Sequence, residues 1–423
     1  MKAVFGLDFG TTNSTLSVNR GGEVRIVDID PTAPSQATLR SVLYFDRTKK
    51  VFAGEEAIRH YLNDGAEGRL MQSIKTLLGS SLFSGVVINN RYYSLEDLIT
   101  VLLRIIKDRG ERIIGESVDS VVMGRPAVFS DDENENRLAE ERLRTATENA
   151  GFKNIAFQFE PIAAGLTYEQ NLAAGEEKKV LVGDFGGGTS DFTVIKLHGG
   201  MPPGRDRKDD VLSLCGVPVG GDVFDSQIMS ARLIPYFGAR AKYKSMRGEW
   251  MDVPTNIFSM LSRWHLMSQL KERRQREDIR QIRGRCNDPA AFERLEDLVD
   301  NNYGFKLFQA IERAKHTLSS QNRTELVFSE LRSEIRETIT RQEFETMVAD
   351  SLRRVELSAA EALESARLSP DEIDVVFITG GSSCIPSIRR IFVEKFGEEK
   401  LASADAFTSV GYGLGLAARY IFP

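Results

Sequence analysis

Short apolar runs alternate with amphipathic stretches along most of this chain. Val4-Phe5-Gly6-Leu7 and Val180-Leu181-Val182 read as buried strands, each climbing into an aspartate and a turn rich in glycine and threonine. Arg20-Gly21-Gly22, within 18–24, predicts a hairpin; Val42 to Phe45 with Val51 to Ala53 around Asp46-Arg47 predicts another. Ser94-Leu95-Glu96-Asp97 is a capping box, after which Leu95, Leu98, Ile99, Leu102, Ile105 and Ile106 repeat at helical spacing. From Val121 the order is strand, helix, strand: Val121-Val122-Met123, an amphipathic segment from about Glu133 to Ala150 stopped by Gly151, then Ile155 to Phe159. That βαβ order makes part of the sheet parallel. Val375 to Ile378, then Thr379-Gly380-Gly381-Ser382 and a helix from about Pro386, repeat the strand-turn-helix theme. The pattern predicts an α/β protein of two lobes facing a cleft.

Composition narrows the class. With 423 residues and 41% hydrophobic content the chain can bury more than one core, and a net charge of -6 gives no support to bulk nucleic-acid or anionic-membrane binding. Met1-Lys2 leads directly into the first strand, leaving no room for a signal peptide, and no apolar stretch is long enough to span a bilayer. Cys215, Cys286 and Cys384 are scattered and without metal-ligand spacing, which points to reduced thiols and a cytoplasmic location.

The repeated turn carries the chemistry. Asp8-Phe9-Gly10-Thr11-Thr12-Asn13 and Asp184-Phe185-Gly186-Gly187-Gly188-Thr189 can hold one phosphate chain between them. Glycine lets the backbone turn sharply and present N–H groups to an anion, and Thr11, Thr12 and Thr189 add hydroxyl donors. A carboxylate beside phosphate oxygens repels them unless a cation intervenes, so Asp8 and Asp184 imply Mg²⁺ held largely through water. The duplication therefore points to a nucleoside triphosphate with magnesium.

Further segments extend the pattern in order: Ser73-Ile74-Lys75-Thr76-Leu77-Leu78-Gly79, Arg125-Pro126-Ala127-Val128-Phe129, Phe159-Glu160-Pro161-Ile162-Ala163-Ala164-Gly165, Gly220-Gly221-Asp222-Val223-Phe224-Asp225, Glu312-Arg313-Ala314-Lys315-His316-Thr317-Leu318-Ser319 and Gly380-Gly381-Ser382-Ser383-Cys384-Ile385-Pro386. With the two Asp-Gly-Thr turns they resemble the seventy-kilodalton heat-shock chaperone family, nearly end to end. The resemblance implies an actin-like ATPase fold, two α/β lobes around a nucleotide cleft, with an enlarged outer subdomain in the second lobe. Lobe I would comprise 1–178 (inner about 1–40 and 117–178, outer about 41–116) and lobe II 179–399 (inner about 179–225 and 350–399, outer about 226–349), with 400–423 a helix returning to lobe I.

The resemblance also implies roles. Asp8 and Asp184 would hold hydrated magnesium, and Lys75 would sit by the γ-phosphate of ATP and position the attacking water. Asp184, Asp191 and Glu160 are alternatives for orienting that water or passing its proton. Gly10, Thr11, Thr12, Asn13, Gly186, Gly187, Gly188 and Thr189 would cradle the phosphates. Gly220, Gly221, Asp222, Glu312, Lys315, His316, Ser319, Gly380, Gly381, Ser382, Ser383 and Asp405 would complete the ATP/ADP site, with Glu312, Lys315 and Ser319 as one face of a helix reaching for ribose and adenine. Blander readings stand beside these: Lys75 as a surface lysine, Asp222 and Asp225 as helix caps, His316 as a partly buried helix residue, and Cys384 as a small packing residue.

Departures from the family carry their own expectations. His316 and Cys384 stand where the chaperones usually place adenine-stacking arginines, which implies weaker adenine binding and faster nucleotide exchange. The segment from Phe407 to Tyr420, with Gly411, Gly413 and Gly415, would pack closely on the first lobe, and the sequence to Pro423 carries no peptide-binding module. This leads to the expectation of a short member with the nucleotide-binding domain only. Between the Gly221 motif and the Glu312 helix lies surplus chain in which Leu261, Trp264, His265, Met267, Leu270 and Ile279 suggest one helix with a mixed apolar side, either a partner surface or packed on its own lobe. The stretch from Gly199 to Arg207 reads as a mobile loop. The leading functional expectation is a slow Mg-dependent ATPase that switches lobe closure and a protein client or partner, with a co-chaperone or exchange factor as a further partner. An actin-fold small-molecule kinase and an ATP-sensing scaffold with little hydrolysis are the alternatives.

Overall fold

The structure is a computed structural model that describes residues 2–65, 67–126, 128–130, 132–200, 207–403 and 408–422. Two sheets of related topology organise it. In the first, the order is Asn154–Phe159, Ser120–Arg125, Val4–Phe9, Asn13–Arg20, Glu23–Val27, with the short strand Thr38–Arg40 also pairing with Asn13–Arg20. In the second it is Val211–Val217, Ser190–His198, Glu177–Phe185, Val375–Thr379, Leu401–Ser403. Each sheet holds an antiparallel hairpin around its aspartate-bearing turn, and each extends that strand in parallel on the other side. The parallel strand reached through the helix Glu133–Asn149 is the predicted βαβ unit.

Local chemistry explains the elements. Ser94 accepts the N–H of Asp97 at 3.0 Å while Asp97 accepts that of Ser94, so the helix Leu95–Ile114 begins where the capping box predicts and ends at Gly115 in the left-handed region. Leu98, Ile99, Leu102 and Ile106 are fully buried against the first sheet. Gly21 and Gly22 both have positive φ and close the hairpin from Arg20 to Glu23. The turn after Phe45 closes onto Val51 as expected, with Asp46 Oδ1 accepting the N–H of Lys50 at 2.8 Å.

Between the sheets lies a separate core of Val122, Val180, Val182, Ile195, Phe377 and Leu414. The helix Ser409–Ile421 sits there, crossing the helix Glu160–Glu169 and lying on the strand Val4–Phe9. Ser17 Oγ donates to the Gly411 carbonyl at 2.6 Å and Asn19 Nδ2 to the Gly415 carbonyl at 2.8 Å. A Cβ on Gly413 would overlap the backbone carbonyl of Ala163, so glycine permits this approach.

The surplus chain corrects one expectation. It is not a single helix: after the hairpin Lys242–Lys244 with Trp250–Asp252 come the helix Thr255–Leu261, a 3-10 segment Trp264–Lys271 and the helix Arg273–Arg283. The chain leaves the helical region at Arg263 and again at Glu272. Leu261, Leu270 and Ile279 are buried in the large core of the second lobe with Phe224 and Phe292, so their apolar side packs on its own lobe. Of the loop expected over 199–207, residues 201–206 lie outside the described residues, as do Ala127, Asp405 and Phe407.

Candidate functional site

Asp8 lies next to the end of the strand Val4–Phe9, and Asp184 next to the end of Glu177–Phe185. Asp191 stands directly across the hairpin from Asp184. The turns after these strands meet: a Cβ on Gly187 would collide with the hydroxyl of Thr12, and Thr76 lies against Gly188. Lys75 occupies a 3-10 turn, Ile74–Leu77, entered through Ser73 with φ 50° and ψ 33°. A serine held in that left-handed region costs of order 1 kcal/mol, which the surrounding packing must hold. From this turn Lys75 Nζ donates to Glu160 Oε1 at 2.7 Å, at the start of the helix Glu160–Glu169. Both side chains are 10% exposed, so Lys75 is not a surface lysine.

Asp8, Lys75, Glu160, Asp184 and Asp191 thus form one charged cluster, with Glu160 buried and the three aspartates half-buried. Burial, then Glu160 and Asp184, raises the Asp8 carboxyl well above its ordinary range against the opposing pull of Lys75. Burial, reinforced by Glu160 and Asp191, pushes Asp184 up to about 7. Asp191 is pushed up to about 6, chiefly by burial, although its Oδ2 accepts the Thr189 hydroxyl at 2.8 Å. Burial pulls the Lys75 ammonium down, but Glu160 and Asp8 outweigh it and hold the group charged.

The second Gly/Thr turn is braced by contacts from its own lobe. Gly221 and Asp222 donate N–H groups to the carbonyls of Gly186 and Gly187 at 3.1 and 2.8 Å, and Ser382 Oγ donates to Gly186 at 3.2 Å. Gly220 packs on the same turn, and Gly380, with φ 83°, lets the chain pass against Phe185 and Asp184. Ser383 Oγ donates to the Gly380 carbonyl at 2.6 Å.

The helix Gly304–Ser320 does not present a free comb. Glu312 Oε1 accepts Arg40 Nη2 at 2.7 Å from the other lobe, Lys315 Nζ lies 2.8 Å from Asp225 Oδ2 and 3.1 Å from the Gly221 carbonyl, and Ser319 Oγ donates back to Lys315 at 3.3 Å. Asp225 is therefore an ion-pair partner and not a cap; Asp222 lies in the first turn of the helix Gly221–Ile228. His316 is exposed, not partly buried, and Cys384 is exposed, which excludes the packing reading. Asp405 lies outside the described residues. Arg40 was not anticipated: it belongs to no motif, and only its pairing opposite Asn13 brings it to the cleft.

The residues present fit a phosphate chain with a hydrated cation. The Thr12 hydroxyl is buried and finds no hydrogen-bond partner among the described residues, as does Asp225 Oδ1. Among the described residues no group of three or more His, Cys, Asp or Glu is arranged to hold a metal alone. Two strand-end aspartates beside Gly/Thr turns suit a cation that keeps most of its water.

Comparison with known proteins bears on this geometry. A family model described as Hsp70 protein matches residues 4–244 and 293–421, leaving the surplus chain of the second lobe unmatched. The chaperone protein DnaK of Thermotoga petrophila is 27% identical over 429 residues, covering 99% of this chain and 59% of the relative. The chaperone protein DnaK of Thermosipho africanus is 26% identical over 427 residues with the same coverage. The chain thus spans 59% of the length of the curated relatives it matches.

Proposed function

We propose, from the premise that this chain belongs to the Hsp70 family and shares its actin-like fold, that it binds ATP between its lobes and hydrolyses it slowly. In this reading the nucleotide state sets lobe closure, and closure sets the hold on a protein client or partner. The observation that carries it is the convergence of Asp8, Lys75, Glu160, Asp184 and Asp191 where the two Gly/Thr turns meet.

Phosphoryl transfer to water asks mainly for placement and charge neutralisation. Asp8 and Asp184 would hold hydrated magnesium, which when bound offsets charge on the β- and γ-phosphate oxygens. The N–H groups and hydroxyls of the two turns, from Gly10 to Asn13 and from Gly186 to Thr189, would orient the phosphates. Lys75, fixed by Glu160, would stand beside the terminal phosphate and position water. Asp191, raised to about 6 by burial, can take up the water's proton near neutral pH, while Glu160 accepts from Lys75 and holds it in place. Gly220, Gly221, Asp222, Lys315, Ser319, His316 and the Gly380 to Ser383 turn would border ribose and base.

A client, a co-chaperone or an exchange factor belongs to the same proposal, since the relatives are chaperone proteins by name. No helix among the described residues is long and apolar enough to cross a membrane. The three free cysteines support a reducing, cytoplasmic setting.

Single-turnover hydrolysis of γ-labelled ATP with Mg²⁺, beside Lys75→Ala, tests the reading. A loss of about a hundred-fold or more in the variant is expected. Tight ATP binding with no phosphate release from either protein would replace the ATPase with a nucleotide sensor, and failure of the native chain to bind ATP would overturn the reading.

A further inference from the structure

Arg40 ends the short strand Thr38–Arg40, in register with Asn13. Its neighbour Ser41 donates its N–H to the Thr12 carbonyl at 2.8 Å and its hydroxyl to the Gly10 carbonyl at 2.7 Å. Arg40 and the first Gly/Thr turn are therefore one fixed unit. From that unit the guanidinium crosses the cleft to Glu312, which burial pushes upward in pKa but Arg40 outweighs, keeping the carboxylate ionised.

The two charged groups are only partly exposed, 34% for Arg40 and 26% for Glu312. They border, with Thr11, Thr12, Asp222 and Asp225, a cleft of about 60 Å³. Ligand pockets run to about 300–1,000 Å³. A ligand entering here must part the lobes and break the pair.

We propose that Arg40 is a specificity-determining residue that exchanges Glu312 for a phosphate oxygen of the nucleotide, so that the site selects phosphorylated adenosine over adenosine. This rests on the reading of the cleft as an ATP site. Glu312 can accept from sugar hydroxyls or from Arg40, and engaging the sugar releases the guanidinium beside Thr11 and Thr12. A guanidinium has five donors and no acceptor, in a fork that matches phosphate oxygens. ADP or ATP replaces the broken ion pair with a new one. Adenosine breaks it and leaves the arginine without an anion in a confined cleft, which is unfavourable.

Calorimetric titration of adenosine and of Mg-ADP into the native chain, Arg40→Gln and Glu312→Gln tests this. In Arg40→Gln the affinity for Mg-ADP should fall by about ten-fold or more while adenosine binds as well or better, collapsing the preference between them. In Glu312→Gln, where the guanidinium remains, the lost pair and the lost sugar acceptor are common to both ligands, so the preference for Mg-ADP should persist. An unchanged preference in Arg40→Gln would overturn the proposal while leaving the ATP reading intact. A native chain that binds neither ligand would overturn both, without recourse to any variant.

Discussion

Lys75 Nζ lies 2.7 Å from Glu160 Oε1, and this pair ties the turn Ile74–Leu77 to the first residue of the helix Glu160–Glu169. Removing one partner of a buried ion pair strands the other, at a typical cost of about 3–5 kcal/mol. Lys75→Ala should therefore destabilise the protein by an amount in that range near neutral pH, and adding Glu160→Gln should recover part of it. Denaturant midpoints for the two single variants and the double variant check this. Strictly additive losses would show the two residues to be uncoupled.

Because burial raises Asp184 to about 7 and Asp191 to about 6, each favours its neutral form in the folded protein. Their folded values exceed the unfolded value near 3.8, so the stability they contribute is fully present below about pH 4 and is lost as pH rises through about 6 to 7. A cation beside Asp184 needs its charged form, so the opposite trend is expected for binding. Magnesium affinity, measured with ADP present, should climb between about pH 6 and 8, with proton release detectable in buffers of different ionisation enthalpy. A flat profile over that range would contradict the assignment of Asp184 to the cation.

Gly413→Ala places a methyl group against the backbone carbonyl of Ala163, which cannot rotate away. Although alanine is the better helix former, a loss of about 1–3 kcal/mol is expected from overpacking. Gly284→Ala is the matched control: its nearest atoms are at 3.7 Å, and it should be neutral or slightly stabilising. Thermal or urea midpoints distinguish the two.

His316 and Cys384 are both exposed beside the proposed base-binding region. Installing guanidinium planes with His316→Arg and Cys384→Arg should tighten Mg-ATP binding, each stacking contact contributing about 0.5–2 kcal/mol. Fluorescent-nucleotide release should slow accordingly. Tighter binding by the native chain than by the double variant would reject this account of the base site.

What could be read in advance follows from range along the chain. Asp8, Thr12, Asp184 and Gly187 carry their meaning in a few consecutive residues, because a strand end and a glycine turn are local structures. The capping box at Ser94 and the stop at Gly151 are local in the same way, and the helices they bound lie where expected. Lys75 was identifiable through its flanking motif, but its contact with Glu160 spans 85 residues. Arg40 was not identifiable: its importance arises from a strand register and from a partner 272 residues away. The apolar residues Leu261, Leu270 and Ile279 misled because burial in a core can serve separate short elements as readily as one face of a long helix.

The bonds from Ser17 to Gly411 and from Asn19 to Gly415 span 394 and 396 residues. The strands Val4–Phe9 and Asn13–Arg20 are synthesised before the whole second sheet, yet the helix that covers them is synthesised only after it. Contacts of such sequence separation form slowly, because chain closure must precede the stabilisation that they bring. During synthesis the first sheet therefore carries an uncovered apolar face until the helix Ser409–Ile421 has been made. Until that helix docks, the exposed apolar face is the part of the nascent chain most open to misassociation.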